Sequence, residues 1–378
     1  MKIVLAPDSY KGSLSAAEVC HILTEEIHGV DGEIEVVSMP LSDGGEGLVD
    51  CLGQALGGEI FPCQVQDPMG RPVTARYMMT PEGTAIIEMA AASGLPLLAP
   101  EELNPMRTSS YGTGELILDA LKRGCRQIIM GIGGSATIDG GMGMASALGL
   151  CFVDGEGNRL KGCGADLMRV MGVEGSLPKA LSEVPITIAC DVDNPLCGPR
   201  GAAAVFGPQK GADPEMIDYL DRGLAHFSQM MEGLVREGLQ QEELQSIKGM
   251  GAAGGIALPL YALEGAVLRG GLDIILDVLD FDGCIAGSQY IITGEGRTDA
   301  QSAMGKVVSG VARRGKAQGI PVIALSGAVE PGIEALYEIG LTAAFATCTN
   351  TRELEWQMTH AGDNLRRAAR NILSLIMV

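Results

Sequence analysis

The N-terminal stretch Lys2-Ile-Val-Leu-Ala-Pro-Asp-Ser-Tyr-Lys-Gly-Ser-Leu-Ser-Ala-Ala-Glu18 decides the fold. Its first residues, Lys2–Ala6, are a short apolar run that ends at Pro7, which is typical of a buried strand in a parallel sheet. Ser15-Ala-Ala-Glu18 is a capping box, so a helix is predicted to begin there and to end near Ile27. A strand, a polar loop and a helix in this order are the opening of an α/β fold.

The alternation of strand and helix continues to Leu56 and returns at the C-terminal end of the chain. Between these parts, short apolar runs are separated by the turn signals Asp67-Pro-Met-Gly70 and Pro81-Glu-Gly83, which indicates an antiparallel sheet. The predicted strands are Lys2–Ala6, Glu33–Val37, Phe61–Val65, Val73–Met79, Thr84–Met89, Gln127–Ile132, Ile186–Cys190, Tyr290–Thr293, Val322–Ser326 and Ala343–Thr347. The predicted helices follow Ser15 and Asp43-Gly-Gly-Glu46 and span Gly112–Lys122, Gly140–Leu148, Pro214–Val235, Lys306–Gln318 and Glu353–Leu375.

The chain has 378 residues, more than one hydrophobic core normally serves, so two domains are expected. We predict an α/β protein in which both chain ends, residues 1–63 and 286–378, form a Rossmann-like domain with a parallel sheet. Residues 64–285 are predicted to form an inserted mixed α/β domain.

Composition excludes several classes of function. The net charge of −20 disfavours nucleic acid and anionic membranes as partners. The apolar run at the N-terminus is too short for a signal peptide, and Met250–Leu263 is too short to span a membrane. Ten cysteines without a Cys-x-x-Cys pair fit reduced thiols. We therefore expect a cytoplasmic protein that acts on a small molecule.

Glycine-rich loops with polar side chains are the candidate functional sites, because glycine lets backbone N–H groups approach an anion closely. In the loop after the first strand, Ser9 and Lys11 could hold an anionic substrate, and Asp8 could receive a proton or orient a hydroxyl group. The next loop, Ser42-Asp-Gly-Gly-Glu-Gly47, contains Asp43, which could face the same crevice. A helix cap explains Asp43 equally well.

The stretch Gly131-Ile-Gly-Gly-Ser-Ala-Thr-Ile-Asp-Gly-Gly141 follows a predicted strand and precedes a predicted helix, as a phosphate-binding loop does. Gly133, Gly134 and Ser135 could surround phosphate oxygens, with Thr137 beside them. Asp139 is a candidate metal ligand.

Two carboxylates lie in Cys190-Asp-Val-Asp-Asn-Pro195, at the end of another predicted strand. In an extended chain Asp191 and Asp193 point the same way, so they could bind Mg²⁺, or one could bind the metal while the other acts as a base. A turn capped by these side chains is the alternative. Lys210 is a candidate for a nucleotide phosphate. In Thr293-Gly-Glu-Gly-Arg-Thr-Asp299, Glu295 could coordinate and Arg297 could neutralise phosphate.

Several familiar sites are missing from the sequence. The four histidines lie in or beside predicted helices, outside these loops, which argues against a histidine base, a Ser-His-Asp triad and a zinc site. A P-loop motif is absent, because Gly305-Lys306 is followed by Val307. Gly249-Met-Gly-Ala-Ala-Gly254 matches G-x-G-x-x-G, but no strand is predicted before it, so its small residues are assigned to packing.

Together the loops resemble those of the bacterial glycerate kinase family, the class with a Rossmann-like domain and a large inserted domain. The matching stretches are Ala6-Pro-Asp-Ser-Tyr-Lys-Gly-Ser-Leu-Ser15, Ser42-Asp-Gly-Gly-Glu-Gly47, Gly131-Ile-Gly-Gly-Ser-Ala-Thr137, Ala189-Cys-Asp-Val-Asp-Asn-Pro-Leu196, Val205-Phe-Gly-Pro-Gln-Lys-Gly211 and Thr293-Gly-Glu-Gly296. The resemblance departs at Tyr10 and Ile138, where Phe and Asn are expected. It implies phosphorylation of D-glycerate with ATP and Mg²⁺, at a site between the two domains.

The resemblance also suggests a role for each candidate residue. Asp191 would activate the glycerate hydroxyl group, with Lys11 and Asp8 in the catalytic set. Substrate binding is assigned to Ser9, Asp43, Arg71 and Arg107, nucleotide binding to Gly133, Gly134, Ser135, Thr137, Lys210, Glu295 and Arg297, and Mg²⁺ to Asp193 and Asp139. The expected product is 2-phosphoglycerate. A glycerate 3-kinase, a nicotinamide oxidoreductase and a non-catalytic hydroxy-acid-binding protein remain alternatives, and the sequence fits a monomer or a homodimer.

Overall fold

The computed structural model describes residues 1–42, 48–235, 243–303, 305–348 and 351–377. The chain forms two compact units: Met1–Gly44 with Leu272–Val378, and Gly45–Gly271. The sequence analysis places the boundaries after residues 63 and 285 instead. The first boundary differs because of the helix Leu48–Leu56. Its first N–H donates to Glu88 Oε1 at 3.0 Å and so holds the helix against the inserted unit.

The first unit begins with strand β1, helix α1 and strand β2. Their bounds are Lys2–Leu5, Ala16–Val30 and Glu35–Ser38. The predicted capping box of α1 is confirmed, since the Ser15 hydroxyl accepts from Glu18 N and the Glu18 carboxylate accepts from Ser15 N. The helix continues for a further turn beyond Ile27.

The inserted unit holds the next elements. In chain order they are α2 (Leu48–Leu56), β3 (Glu59–Gln66), β4 (Pro72–Met79), β5 (Thr84–Glu88), α3 (Ala90–Ser93), α4 (Tyr111–Lys122), β6 (Gln127–Gly131), α5 (Met142–Ala147), β7 (Leu150–Val153), β8 (Gly172–Gly175), β9 (Ile186–Ala189), α6 (Ala202–Phe206), α7 (Pro214–Glu232), α8 (Ala257–Glu264) and β10 (Val267–Arg269).

The chain then completes the first unit. These elements are α9 (Gly271–Val278), α10 (Phe281–Ile285), β11 (Tyr290–Thr293), β12 (Arg297–Thr298), α11 (Val307–Gln318), β13 (Val322–Ser326), β14 (Ala328–Val329), α12 (Glu334–Ile339), β15 (Leu341–Ala346), α13 (Leu354–Thr359) and α14 (Ala361–Ile376).

The first unit is built on a five-stranded parallel sheet in the order β15-β13-β11-β1-β2. Both chain ends supply strands to it, which confirms the predicted α/β architecture. From β1 the chain moves to β2 on one side, while β11, β13 and β15 extend the other side. The strand order therefore reverses between β1 and β11, and loops at the carboxyl ends of such strands bind ligands in open α/β sheets.

Helices cover both faces of this sheet. On one face Ile3 and Leu5 pack with α1 and α14, where Ile27 and Leu365 are fully buried. On the other face Gly315 of α11 lies against β13, and a Cβ there would come within 2.3 Å of Val322 Cγ2. Burial on both faces explains why the strands are continuous apolar runs rather than alternating ones.

The inserted unit contains a six-stranded sheet in the order β10-β9-β6-β5-β4-β3. Strands β3, β4 and β5 are antiparallel, as predicted, while β5, β6, β9 and β10 run parallel. Gly131 at the end of β6 is paired with Ala189 at the end of β9. The loops after these two strands therefore leave the sheet side by side.

Some predicted elements differ from the observed ones. The helix predicted over Glu353–Leu375 is two helices that meet at His360, whose φ of −106° and ψ of 21° are not helical and whose ring stacks on Trp356. Strands β7, β8, β10, β12 and β14 were not predicted. The predicted cap Asp43-Gly-Gly-Glu46 lies outside the described residues.

No helix within the described residues is long and apolar enough to cross a membrane.

Candidate active site

In the first unit, the loops after β1 and β11 are joined at the point where the strand order reverses. Asp8 N donates to Gly294 O at 2.8 Å. Gly296 lies against the β1 loop, where an added Cβ would be 3.2 Å from Lys11 N. Asp8 accepts from Ser9 N at 2.6 Å, and Ser9 and Lys11 are exposed. The structure thus presents a hydroxyl group and an ammonium group on one short, well-braced loop.

A buried tyrosine, to which the sequence analysis gave no role, anchors this loop. Tyr10 is 3% exposed, and its hydroxyl group donates to Leu325 O at the end of β13, at 2.5 Å. Burial, with smaller effects from Cys348 and Glu295, raises the pKa of Tyr10, so the phenol stays protonated and remains a donor. The only signal in the sequence is an aromatic residue inside an otherwise polar loop.

Glu295 supports the loop after β11 from inside. It is 7% exposed, accepts from Thr298 Oγ1 at 3.0 Å and lies 4.0 Å from Lys306 Nζ. Burial raises the pKa of Glu295, although hydrogen bonds from Ser302 and Thr298 and the charge of Lys306 oppose the rise. Arg297, by contrast, is exposed and forms an ion pair with Glu330 at 3.3 Å. Of the two nucleotide ligands predicted in this loop, only Arg297 is exposed to solutes.

In the inserted unit, the loop after β6 exposes the backbone of two glycines. Gly133 and Gly134 are exposed, and Gly134 has φ +72°, which favours glycine. Gly134 O accepts from Leu95 N at 2.9 Å, so this carbonyl group is turned toward the protein. The arrangement suits the predicted approach of an anion to backbone N–H groups.

The side chains that follow are buried rather than presented to solvent. Ser135 Oγ and Thr137 O both accept from Lys210 Nζ, at 2.7 and 2.8 Å, and Lys210 is 1% exposed. Thr137 Oγ1 is buried without a hydrogen-bond partner among the described residues. Thr137 and Lys210 therefore lie behind the glycines, not on the surface where a phosphate would bind directly.

Asp139 also has a different setting from the one predicted for a metal ligand. It is fully buried and accepts from Ser110 N and Oγ, both at 2.7 Å, from Gly141 N at 3.1 Å and from Gly143 N at 3.3 Å. Both carboxylate oxygens are engaged, so the geometry fits a structural brace. The left-handed Gly141, with φ +76°, also delays the start of α5 to Met142.

Asp191 and Asp193 are exposed just after β9, beside the glycine loop. Asp191 Oδ1 accepts from Gly271 N at 2.7 Å, which fixes it near the end of β10. Asp193 forms an exposed ion pair with Arg200 at 2.9 Å. Asp191 is thus the positioned carboxylate and Asp193 the more loosely held one.

The other predicted substrate ligands are less well placed. Arg71 forms ion pairs with Asp67 and Glu102, both at 2.6 Å, which occupy its guanidinium group. Arg107 is exposed, and Asp43 lies outside the described residues. Across the described part of the chain there is no cluster of three His, Cys, Asp or Glu side chains able to hold a metal ion.

The glycine loop gives a direct test with a matched control. Gly134→Ala should weaken the binding of a phosphate-bearing ligand at this loop several-fold, because its Cβ would be 3.3 Å from Ala90 Cβ and would shift a left-handed, solvent-facing residue. Gly124→Ala carries a similar backbone strain, of about 1 kcal/mol, at φ +80° with open space around it. Binding measurements on both variants should show an effect for Gly134→Ala alone. An equal effect at Gly124 would mean that strain, not the loop, is responsible.

A parallel α/β sheet with polar loops at its carboxyl edge is the arrangement in which open α/β enzymes bind their ligands, and the inserted unit carries an exposed glycine loop beside an aspartate. The model of the glycerate kinase family matches residues 3–377. The chain is 44% identical to a glycerate kinase of Bacillus cereus, over 99% of this chain and 98% of that one. It is 41% identical to the glycerate 2-kinase of Escherichia coli, over 100% of this chain and 98% of that one.

Solved structures show the same likeness. The structure of a putative glycerate kinase 2 from Salmonella typhimurium matches with a TM-score of 0.85 at 42% identity, and the match covers 100% of this chain and 98% of that one. The chain belongs to the glycerate kinase family. It is an enzyme, a kinase, and the family implies a nucleotide as its phosphoryl donor.

Proposed function

We propose that this kinase transfers the γ-phosphoryl group of ATP to the 2-hydroxyl group of D-glycerate. One observation carries the proposal: Gly131 and Ala189 are paired at the carboxyl ends of β6 and β9, so the loop with Gly133 and Gly134 emerges beside Asp191. A phosphate-binding backbone next to a positioned carboxylate is what phosphoryl transfer to an alcohol requires.

In this mechanism Asp191 accepts the proton of the attacking hydroxyl group. Its hydrogen bond from Gly271 N fixes the direction of the carboxylate. Backbone N–H groups of Gly133 and Gly134 stabilise the phosphate oxygens as charge builds up. Positioning and electrostatics supply most of the rate acceleration in reactions of this kind.

Mg²⁺ is the metal that ATP normally carries in such a reaction, where it neutralises phosphate charge. The exposed oxygen donors near the glycine loop fit a cation held largely by the nucleotide. Asp193 offers exposed carboxylate oxygens just after β9, and Mg²⁺ is usually bound by one or two carboxylates and substrate phosphates. Asp139 is left out of this set because its oxygens are already engaged inside the protein.

Ser9 and Lys11 are the proposed ligands of the glycerate carboxylate. They are the exposed groups of the loop after β1, and that loop is held by Asp8, Gly294 and Tyr10. Asp8 takes part by orienting the loop through Ser9 N. Arg107 remains a further candidate, whereas Arg71 would first have to leave Glu102 and Asp67.

The names of two relatives support the choice of the 2-hydroxyl group. The Escherichia coli protein is named a glycerate 2-kinase and the Salmonella structure a putative glycerate kinase 2. Incubation with D-glycerate, ATP and Mg²⁺ should therefore give 2-phosphoglycerate, read by ³¹P NMR. A 3-phosphoglycerate resonance would keep the reaction class and overturn the choice of hydroxyl group. Omission of ATP, or its replacement by GTP, tests the nucleotide.

A further inference from the structure

Lys210 is among the largest fully buried side chains of the protein. It ends the short 3₁₀ turn Pro208–Lys210, and Gly211 follows it with φ +87°. Gly211 lies so close to the neighbouring segment that an added Cβ would be 2.2 Å from Leu103 O. The backbone is therefore fixed, and the lysine side chain is shielded from bulk solvent.

The side chain ends directly behind the exposed glycines. Nζ donates to Ser135 Oγ at 2.7 Å and to Thr137 O at 2.8 Å, and so it bridges two positions of the loop after β6. Gly133 and Gly134, immediately before this bridge, are exposed. An anion that binds their backbone N–H groups would lie on the other side of the same loop from the ammonium group.

This lysine forms no ion pair within the described residues. Asp139, the carboxylate that acts on it, lies beyond ion-pair distance and is hydrogen-bonded by Ser110, Gly141 and Gly143. On the neighbouring segment, Glu102 is held by Arg71 and Ala99 N. A buried ammonium group without an ion-pair partner is costly, so burial lowers the pKa of Lys210 to about 7 although the charge of Asp139 opposes the fall.

We propose that Lys210 is a positioning residue whose charge responds to the ligand: nucleotide phosphates bound at Gly133 and Gly134 draw a proton onto Lys210 from the medium. The incoming anion adds negative charge near the ammonium group, and a nearby anion favours the protonated form of an amine. This inference rests on the proposed nucleotide site and adds a proton to its binding equilibrium. By linkage, nucleotide affinity should fall as the pH rises above about 7.

The test is isothermal titration calorimetry of ADP into the wild-type enzyme at about pH 8, in HEPES and in Tris, whose ionisation enthalpies differ. With the free lysine largely neutral at that pH, uptake should approach about 0.9 proton per nucleotide. Lys210→Met should abolish the uptake, while Lys161→Met, which removes an exposed lysine of the same unit, should retain it. Equal uptake in Lys210→Met and the wild type, or none in the wild type, would overturn the inference.

If Lys210→Met does not fold, a second measurement on the wild-type enzyme tests the same inference. In wild-type enzyme labelled with ¹³Cε-lysine, one lysine resonance should titrate near neutral pH and its midpoint should move upward when ADP is added. A midpoint that does not move would contradict the proposal. The two proposals fail differently: phosphorylation of glycerate without proton uptake removes only the role of Lys210, whereas absence of both ADP binding and phosphorylation removes the proposed function as well.

Discussion

Asp191→Asn is expected to lower kcat for glycerate phosphorylation by about 10²–10⁴-fold, the usual contribution of a general base. The amide has nearly the same shape as the carboxylate and can still accept the hydrogen bond from Gly271 N, so the loop should hold its position. What the variant loses is the ability to take a proton. KM for nucleotide should change little, because the glycine loop is untouched.

Asp221→Asn is the matched control for this variant. Asp221 also accepts one hydrogen bond from a glycine backbone, Gly198 N at 2.9 Å, but it lies on the helix α7 rather than directly after a strand. Thermal unfolding followed by circular dichroism should give similar curves for both variants and the wild type. If Asp191→Asn keeps a near-normal kcat, Asp191 is not the base. If it loses both activity and structure while Asp221→Asn does not, its role is structural.

The position of Asp191 could be predicted from local sequence. A carboxylate just after an apolar strand lies at the carboxyl edge of a parallel sheet, whichever position the strand takes in the sheet. The same reasoning located Ser9 and Lys11 after β1 and Gly133 and Gly134 after β6. The parallel sheet made by both chain ends was predictable for a similar reason, since each strand is a short apolar run followed by a helix.

Burial of polar side chains could not be predicted in this way, because it depends on partners distant in the chain. Lys210 binds Thr137 across 73 positions, and Asp139 binds Ser110 across 29. From the sequence of its own loop alone, each of these two side chains is predicted to be an exposed ligand. The domain boundary has the same cause, since the contact of Leu48 N with Glu88 spans 40 positions.

Asp139→Ala is expected to destabilise the inserted unit by about 3 kcal/mol, the cost of leaving several buried donors without an acceptor. The backbone N–H groups of Ser110, Gly141 and Gly143 and the Ser110 hydroxyl group would all lose their partner. That is a large share of the total stability of a typical domain, about 5–15 kcal/mol. Asp193→Ala, which removes an exposed carboxylate from a surface ion pair, should be close to neutral.

Hydrogen exchange measured by mass spectrometry can locate the effect. In Asp139→Ala, peptides that contain Ser110, Gly141 and Gly143 should exchange faster than in the wild type, and urea should unfold the variant at a lower concentration. Asp193→Ala should leave exchange in those peptides unchanged. The opposite pattern, normal exchange with a raised requirement for Mg²⁺ in Asp139→Ala, would return Asp139 to the role of metal ligand. The two roles of Asp139 can be distinguished by these measurements. A structural carboxylate contributes to the free energy of folding before any nucleotide or metal is bound.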